Sequence, residues 1–219
     1  MNDNGGNSTG VDISKIDHLV YASPDLELGI KRLEELLGVR ASPGGSHAGL
    51  GTRNALLCLG SNSYLEIIGP DPAQIDYLSP RPFGIDELTS PTLVTWAAKA
   101  SSLKDLTKSA AKAGIHLGEA FDMSRQLPDG QLLSWSLTFP QLTAGKGFLP
   151  FFIDWGSTPH PSQSAAGGAT LTKLMIEHPH CEKLTEDLQT LGIESHLQRA
   201  ACASLIATIE GNKGPVELR

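Results

Sequence analysis

Apolar and polar positions follow one another along the chain in a pattern that predicts strands and helices in a fixed order. Residues 16–22 form an apolar run typical of a strand, and apolar residues then recur every three or four positions from 26 to 37, which predicts one buried helical face. Gly38 favours the end of that helix. Residues 54–59 and 64–68 indicate two further strands joined by a short hairpin turn.

The same order recurs later in the chain. The three predicted helices end in LLGV, KAGI and TLGI, and SYLEI in the first unit resembles GPVEL near the end of the chain. Internal repetition on this scale predicts a fold built from copies of one supersecondary unit. We therefore expect a single domain over residues 13–219 with units at about 16–70, 92–156 and 169–219.

Segments outside these units have a different composition. Residues 1–12 are polar and glycine-rich and are expected to form a disordered tail. Residues 71–91 carry several prolines and are expected to connect the first two units. Residues 156–168 combine prolines with serines, alanines and glycines, which favours a mobile flap over a site.

Composition and charge narrow the class of protein. Hydrophobic residues make up 40% of the chain and charged residues 19%, which is ordinary for a globular protein. A net charge of -7 without a basic block argues against nucleic-acid binding. No apolar run reaches the roughly 20 residues of a membrane helix. The three cysteines are widely spaced and indicate neither a zinc motif nor a disulfide framework, so a cytoplasmic location is expected.

Two ionisable residues lie inside apolar strands of the first unit. His18 falls in the run IDHLVYA and Glu66 in the run YLEII. An imidazole or a carboxylate is costly to bury without a partner, so the pair suggests a shared role such as holding a metal ion. The ordinary alternatives are a core histidine with a hydrogen-bonded neighbour and a solvent-facing glutamate.

Further candidates lie near this pair and in the second unit. His47 follows the glycines at 44–45, which predict a turn, and a short strand is expected near 39–42. Thr52 and Asn54 share one face of the next strand, where they would orient a substrate or cap the turn. Arg125 would anchor a carboxylate or phosphate, or form a surface ion pair.

The remaining aromatic and histidine residues have ordinary interpretations. Trp135 and Trp155 are expected in the core, whereas His160, His178 and His180 lie near prolines and are expected to be exposed. No phosphate-binding loop, nucleophile elbow or HExxH motif is present in the sequence.

Four sequence segments carry a family resemblance: GTRNALL, the YLE strand that follows it, RQLPDGQLLSW and LPFFIDW. On these segments the chain resembles the vicinal oxygen chelate superfamily, and more narrowly its glyoxalase-like branch. The resemblance implies an α+β fold in which repeated βαβββ units form a cup-shaped mixed sheet. It also implies a small-molecule enzyme with lyase, isomerase or dioxygenase chemistry on a substrate with vicinal oxygens.

The resemblance implies roles for the candidate residues. His18 and Glu66 would hold a divalent metal ion (Zn, Mn, Ni or Fe), with His47 as a third ligand or as the acid/base group and Glu66 also in a catalytic role. Thr52, Asn54 and Arg125 are the candidate substrate-binding residues.

The second unit departs from the family pattern. It offers Val94 or Thr95, and Ile153 or Asp154, where histidine and glutamate ligands are expected. These missing ligands favour the alternative function, a metal-free protein that binds or sequesters a small molecule on the same fold. A homodimer is expected from the family alone.

Overall fold

Two runs of the chain, each with the order strand, helix and three strands, form one eight-stranded mixed sheet in the computed structural model. The structure describes residues 9–126, 132–139 and 147–219. Its helices are α1 (Leu26–Leu37), α2 (Leu103–Lys112) and α3 (Cys181–Thr190). Its strands are β1 (Gly10–Val11), β2 (Ile16–Ala22), β3 (Ser42–His47), β4 (Thr52–Cys58), β5 (Tyr64–Pro70), β6 (Thr92–Lys99), β7 (Ala120–Gln126), β8 (Leu132–Thr138), β9 (Phe151–Asp154), β10 (Thr170–His178), β11 (Ser195–His196), β12 (Gln198–Arg199), β13 (Ser204–Gly211) and β14 (Gly214–Leu218).

The two units pair their strands in the same way. The first strand of each unit lies parallel to the last, β2 to β5 and β6 to β9, and the two first strands pair antiparallel at the centre. The strand order is β3-β4-β5-β2-β6-β9-β8-β7. The sheet curls into the nearly closed cup that the βαβββ repeat predicts, so the predicted fold class is confirmed.

The third unit repeats the order of elements but pairs its strands differently. Its β10 lies antiparallel to β13, and the strand order β12-β10-β13-β14 forms a separate four-stranded sheet. This sheet packs on the outside of the cup, where Lys213 donates a hydrogen bond to the carbonyl of Glu35 in α1. The third unit thus widens the outer core and adds no strand to the cup.

Helix α1 illustrates how local residues set the element boundaries. The Asp25 side chain accepts a hydrogen bond from the Leu28 N–H at the helix start, and Gly38 adopts a left-handed φ of 73° at its end. Gly69 of β5 lies against the first turn of α1, because a Cβ there would be 2.9 Å from the Leu26 nitrogen. The predicted bounds of this helix are confirmed.

Strand alternation separates two apolar cores on the two faces of the cup. In β2, Leu19 and Tyr21 belong to the outer core under the helices, whereas Val20 and Ala22 face the inside of the cup. His18 has the same parity as Val20 and therefore also faces the inside. The sheet thus places this histidine in the concave interior.

Three sequence-based expectations need separate comment. The glycines at 44–45 form no turn but lie inside β3, where the register shifts opposite β4. Glycine is needed at position 44 because the side chain of Asn54 fills the space that a Cβ would take. Residues 1–8 of the expected tail lie outside the described residues, and residues 10–11 are not disordered, because β1 pairs with β11. The sequence Pro-Asp-Gly at 128–130 predicts a hairpin turn, which also lies outside the described residues.

The loop over residues 156–168, predicted to be a mobile flap over a site, forms hydrogen bonds with the cup. Thr158 donates to the carbonyl of Ser134, and the carbonyl of Ala166 accepts from the N–H of Cys58. Within the described ranges, none of the helices is long and apolar enough to cross a membrane.

Candidate functional site

Within the part of the chain that the structure describes, the cup contains a cavity whose wall includes most of the candidate residues. The space between its walls is about 650 Å³, including the part that is open to solvent. Volumes of this order suit a small molecule. The polar residues on its wall are His18, His47, Asn54, Tyr64, Glu66 and Arg125, and the apolar ones are Leu50, Leu56, Ile68, Pro82, Phe83, Met123, Trp135, Leu137, Phe139, Phe151, Ile153, Trp155 and Pro161.

His18 is held rigidly in the cavity wall. Its Nδ1 lies 2.8 Å from Oδ1 of Asp17, its ring stacks on Tyr64 at 4.6 Å, and Phe151 contacts it edge-on at 5.3 Å. Because the Asp17 carboxylate accepts a hydrogen bond from the Nδ1–H of His18, the ring presents its lone pair on Nε2. A histidine fixed in this way is suited to take up a proton from a bound molecule.

Asp17 is the buried carboxylate that organises this part of the site. It is only 1% exposed, and it accepts hydrogen bonds from three ring N–H groups, those of His18, His160 and Trp155. Burial alone would raise the pKa of Asp17, but the hydrogen bonds from His160 and His18 outweigh it and lower the pKa to about 2. The group is therefore ionised at neutral pH.

A β-bulge brings Asp17 and His18 together. Regular alternation would send these adjacent side chains to opposite faces of β2, but the register with β6 shifts between Ile16 and His18. His160 reaches Asp17 from the loop over 156–168, with its Nε2 at 3.2 Å, and its Nδ1 accepts from the Ser162 N–H. The second contact assigns the Nε2–H tautomer to His160.

Glu66 forms the opposite part of the polar wall. Its Oε1 accepts a hydrogen bond of 2.6 Å from the Asn54 amide, and the same amide nitrogen lies 3.1 Å from Nε2 of His47. The carbonyl oxygen of Asn54 accepts from the Gly45 N–H and from Nη1 of Arg125, both at 3.0 Å. Since both partners can only donate, the amide orientation is fixed and its NH2 group faces Glu66 and His47.

These contacts also define the state of His47. Its Nε2 accepts from Asn54, so its proton lies on Nδ1 and points to the Thr52 hydroxyl at 3.0 Å. Burial lowers the pKa of His47, more than the nearby Glu66 raises it, which keeps the ring neutral. Both nitrogens are thus used within the protein, and Thr52 is buried behind the cavity wall.

One gap in the polar wall is open to a ligand. Nε2 of His18 and Oε2 of Glu66 lie 3.9 Å apart, too far for a hydrogen bond to each other. Both atoms belong to side chains that line the cavity. A substrate atom on the cavity side of this pair could contact both the histidine lone pair and the carboxylate oxygen.

Aromatic rings form much of the other wall. Phe83 lies 5.6 Å from Phe139 and 6.3 Å from Phe151, and Trp135 lies 5.3 Å from Trp155 between ring centres. Trp135 and Trp155, which were expected in the core, pack against the inner apolar core and also line the cavity. The cavity combines an apolar body with one polar wall.

The structure brings most of the predicted site residues together. His18, His47, Glu66, Asn54 and Arg125 all line the cavity. Thr52, the first residue of β4, instead supports His47 from behind the cavity wall through its hydroxyl group.

Sequence reasoning missed Asp17 and misplaced His160, which was expected to be exposed and instead has a side chain that is only 11% exposed. The adjacent Asp-His pair in a strand was the available signal for Asp17. His178 ends β10 and His180 directly precedes α3, and neither lines the cavity. Of the second-unit residues named in place of ligands, Thr95 donates to the carbonyl of Gly147 and Ile153 lies in the cavity wall.

The predicted metal ligands do not fit a metal ion in this arrangement. Among the described residues, no group of three or more His, Cys, Asp and Glu side chains is arranged to hold one. The nitrogens of His18 and His47 lie 3.9 and 3.7 Å from the Glu66 oxygens, and the Asn54 amide already occupies two of these donors.

Comparison with protein families agrees with this fold. A family model described as a glyoxalase-like domain matches residues 16–192. The chain therefore belongs to the glyoxalase-like domain family, within the vicinal oxygen chelate superfamily. A comparison with curated proteins finds no match.

Comparison with solved structures finds one of the same architecture and two with lower TM-scores. A hypothetical protein from Staphylococcus aureus is 12% identical with a TM-score of 0.63, over 88% of this chain and 90% of that one. Methylmalonyl-CoA epimerase from Streptomyces coelicolor, in complex with 2-nitronate-propionyl-CoA, is 17% identical with a TM-score of 0.47, over 66% and 96%. The epimerase from Mycobacterium tuberculosis is 17% identical with a TM-score of 0.41, over 68% and 91%. At these identities the likeness concerns the fold alone.

Proposed function

We propose that this protein is a small-molecule enzyme that transfers a proton on an oxygen-bearing substrate with an apolar body, in a reaction of the isomerase or lyase kind. The observation that carries the proposal is the 3.9 Å gap between Nε2 of His18 and Oε2 of Glu66 in the cavity wall. Two proton-transferring groups within reach of one bound molecule suit such a reaction.

The neighbouring residues supply the remaining roles. His18 acts as the base. Asp17 stabilises the imidazolium that forms, since its carboxylate accepts a hydrogen bond from Nδ1–H. Glu66 is the second proton-transferring group. Arg125 lines the cavity and contributes positive charge for a developing oxyanion. For His47 we propose a supporting role, because both of its nitrogens are engaged by Thr52 and Asn54.

Metal dependence is the alternative form of this proposal. A divalent ion (Zn, Mn, Ni or Fe), as the family resemblance implies, would be sought at His18, Glu66 and His47. Such an ion needs the lone pairs of Glu66 and His47 that the Asn54 amide occupies. The metal-free form requires no rearrangement of these residues, and we favour it for that reason.

The aromatic wall supports a second candidate function, binding or sequestration of a hydrophobic small molecule without chemistry. Replacement of His18 by alanine separates the two functions. A binding protein keeps its ligand affinity in this variant, because the aromatic wall is unchanged. An enzyme of the proposed kind loses turnover.

Ligand binding can be followed through the tryptophans. Trp135 and Trp155 line the cavity, whereas Trp96 is fully buried and donates its Nε1–H to the carbonyl of Phe148. We would titrate a panel of small 2-oxo and 2-hydroxy acids with aromatic or aliphatic bodies and record fluorescence quenching. Quenching should persist in Trp96→Phe and decrease in Trp135→Phe.

Proton transfer itself is tested in deuterated water. Compounds that quench the fluorescence are incubated with the protein, and NMR records the loss of the C–H signal next to the substrate oxygen. We expect exchange with the unchanged protein and none with His18→Gln or Glu66→Gln, although both variants still bind. Binding without exchange for every compound in the panel would reject the enzymatic proposal and favour the binding protein.

Two further expectations concern the state of the whole protein. A homodimer and a cytoplasmic location stay predictions from the sequence. Light scattering coupled to size-exclusion chromatography measures the first directly, since a dimer has twice the mass of the chain.

A further inference from the structure

We propose that the Asn54 amide takes the structural place of a metal ion, so that it bridges Glu66 and His47 and keeps divalent cations out of the cavity. The inference concerns the same site as the proposed function and rests on its cavity. Its test reads metal content and not turnover, so either proposal can fail without the other.

The amide occupies the atoms that a cation would need. Its nitrogen lies 2.6 Å from Oε1 of Glu66 and 3.1 Å from Nε2 of His47, and these two atoms are 3.7 Å apart. An NH2 group has two protons, one for each acceptor. The lone pairs that face each other across this short distance are therefore already used by hydrogen bonds.

The amide cannot rotate to offer its oxygen instead. Arg125 and the Gly45 N–H both donate to Oδ1 at 3.0 Å, and a reversed amide would place NH2 protons against these donors. A Cβ at Gly44 would lie 2.0 Å from Oδ1, so glycine at this position makes room for the amide. The surrounding residues thus hold Asn54 in the bridging orientation.

The charge of Arg125 also disfavours a divalent cation at this site. The Arg125 guanidinium, itself only 8% exposed, contacts the amide that touches Glu66. A fixed positive charge in a poorly solvated place repels a divalent cation.

Replacing the amide nitrogen of Asn54 by an oxygen should turn a site that excludes cations into one that binds them. Asn54→Asp replaces the bridging NH2 group by an oxygen that faces Oε1 of Glu66 and Nε2 of His47. Two carboxylates at hydrogen-bond distance cannot both remain charged without a proton or a cation between them. In the presence of divalent ions we therefore expect one ion per chain, held by the introduced carboxylate, Glu66 and His47.

The experiment compares metal content and affinity in matched variants. The unchanged protein, Asn54→Asp and Asn62→Asp are equilibrated with Zn²⁺, Mn²⁺ or Ni²⁺, desalted and analysed by mass spectrometry, and titrated by calorimetry. Asn62 is exposed on the hairpin turn, so the control makes the same chemical change away from the cavity. We expect a gain in affinity of about tenfold or more for Asn54→Asp only, because ligand charge raises cation affinity.

Three results would overturn the inference. The first is stoichiometric metal in the unchanged protein that Glu66→Gln removes. The second is a folded Asn54→Asp protein that binds metal no better than Asn62→Asp. If Asn54→Asp does not fold, Asn54→Ala removes the amide without adding charge. Metal affinity of that variant equal to the unchanged protein is the third result against the inference.

Discussion

Replacement of Asp17 by asparagine tests the part of the site on which His18 depends. The change keeps the shape of the side chain but replaces one of its acceptor oxygens by an NH2 donor. Three N–H groups, from His18, His160 and Trp155, point at this carboxylate. At least one of them loses its acceptor, and an unsatisfied buried donor costs about 1–3 kcal/mol.

The pKa of Asp17 gives a second value for the contribution of this carboxylate to the free energy of unfolding. Its folded-state pKa of about 2 lies below the ordinary value of 3.8, so the folded protein binds the proton more weakly than the unfolded chain. At about 1.4 kcal/mol for each pKa unit, the ionised group contributes about 2 kcal/mol near neutral pH. This contribution is present above the unfolded pKa and decreases as the pH falls towards 2. About half of it remains at about pH 3.

The assay is urea unfolding of the unchanged protein and Asp17→Asn at about pH 6 and about pH 3. We expect Asp17→Asn to be less stable by about 2 kcal/mol at the higher pH, and the difference to shrink by about 1 kcal/mol at the lower pH. Asp76→Asn, at an exposed position, serves as the matched control and should show no such change. An equal difference at both pH values, or no difference at the higher pH, would refute the reasoning.

Two further substitutions test the framework around the cavity. Gly69→Ala should destabilise the protein by about 1–3 kcal/mol in denaturant unfolding, because its Cβ would lie 2.9 Å from the Leu26 backbone. Gly167→Ala, with no atom within 4 Å of its Cβ, is the control and should be nearly neutral; equal effects would contradict the packing argument. Asp25→Ala should cost about 1 kcal/mol through loss of the α1 cap to Leu28, while Asp25→Asn should cost less. A full loss with asparagine would contradict the capping argument.

Strand alternation and helix caps account for what was predictable from the sequence. Glu66 alternates with Leu65 and Ile67, while His18 and Asn54 lie in largely apolar strands, and the pairing of β5 with β2 and β4 joins their faces. Asp25 and Gly38 mark the ends of α1 by their own chemistry. These features depend on neighbouring residues only.

The remainder of the site depends on tertiary contacts. Asp17 faces the cavity side only because of the bulge opposite β6, which strict alternation cannot reveal. His160 reaches Asp17 from 143 residues away along the chain. The Asn54 amide is oriented by Arg125 from the other end of the sheet. Sequence spacing alone therefore predicts which residues are candidates, but it does not show which donors remain free.

The central claim is that His18 presents an unprotonated Nε2 to the cavity, opposite Glu66. Long-range ¹H–¹⁵N NMR of the histidine side chains measures this directly, at a pH where the ring is neutral. The structure predicts an Nδ1–H tautomer for His18, which changes to the Nε2–H tautomer or to a mixture in Asp17→Asn. An Nε2–H tautomer of His18 in the unchanged protein would contradict the claim, because that nitrogen could not accept a proton from a substrate.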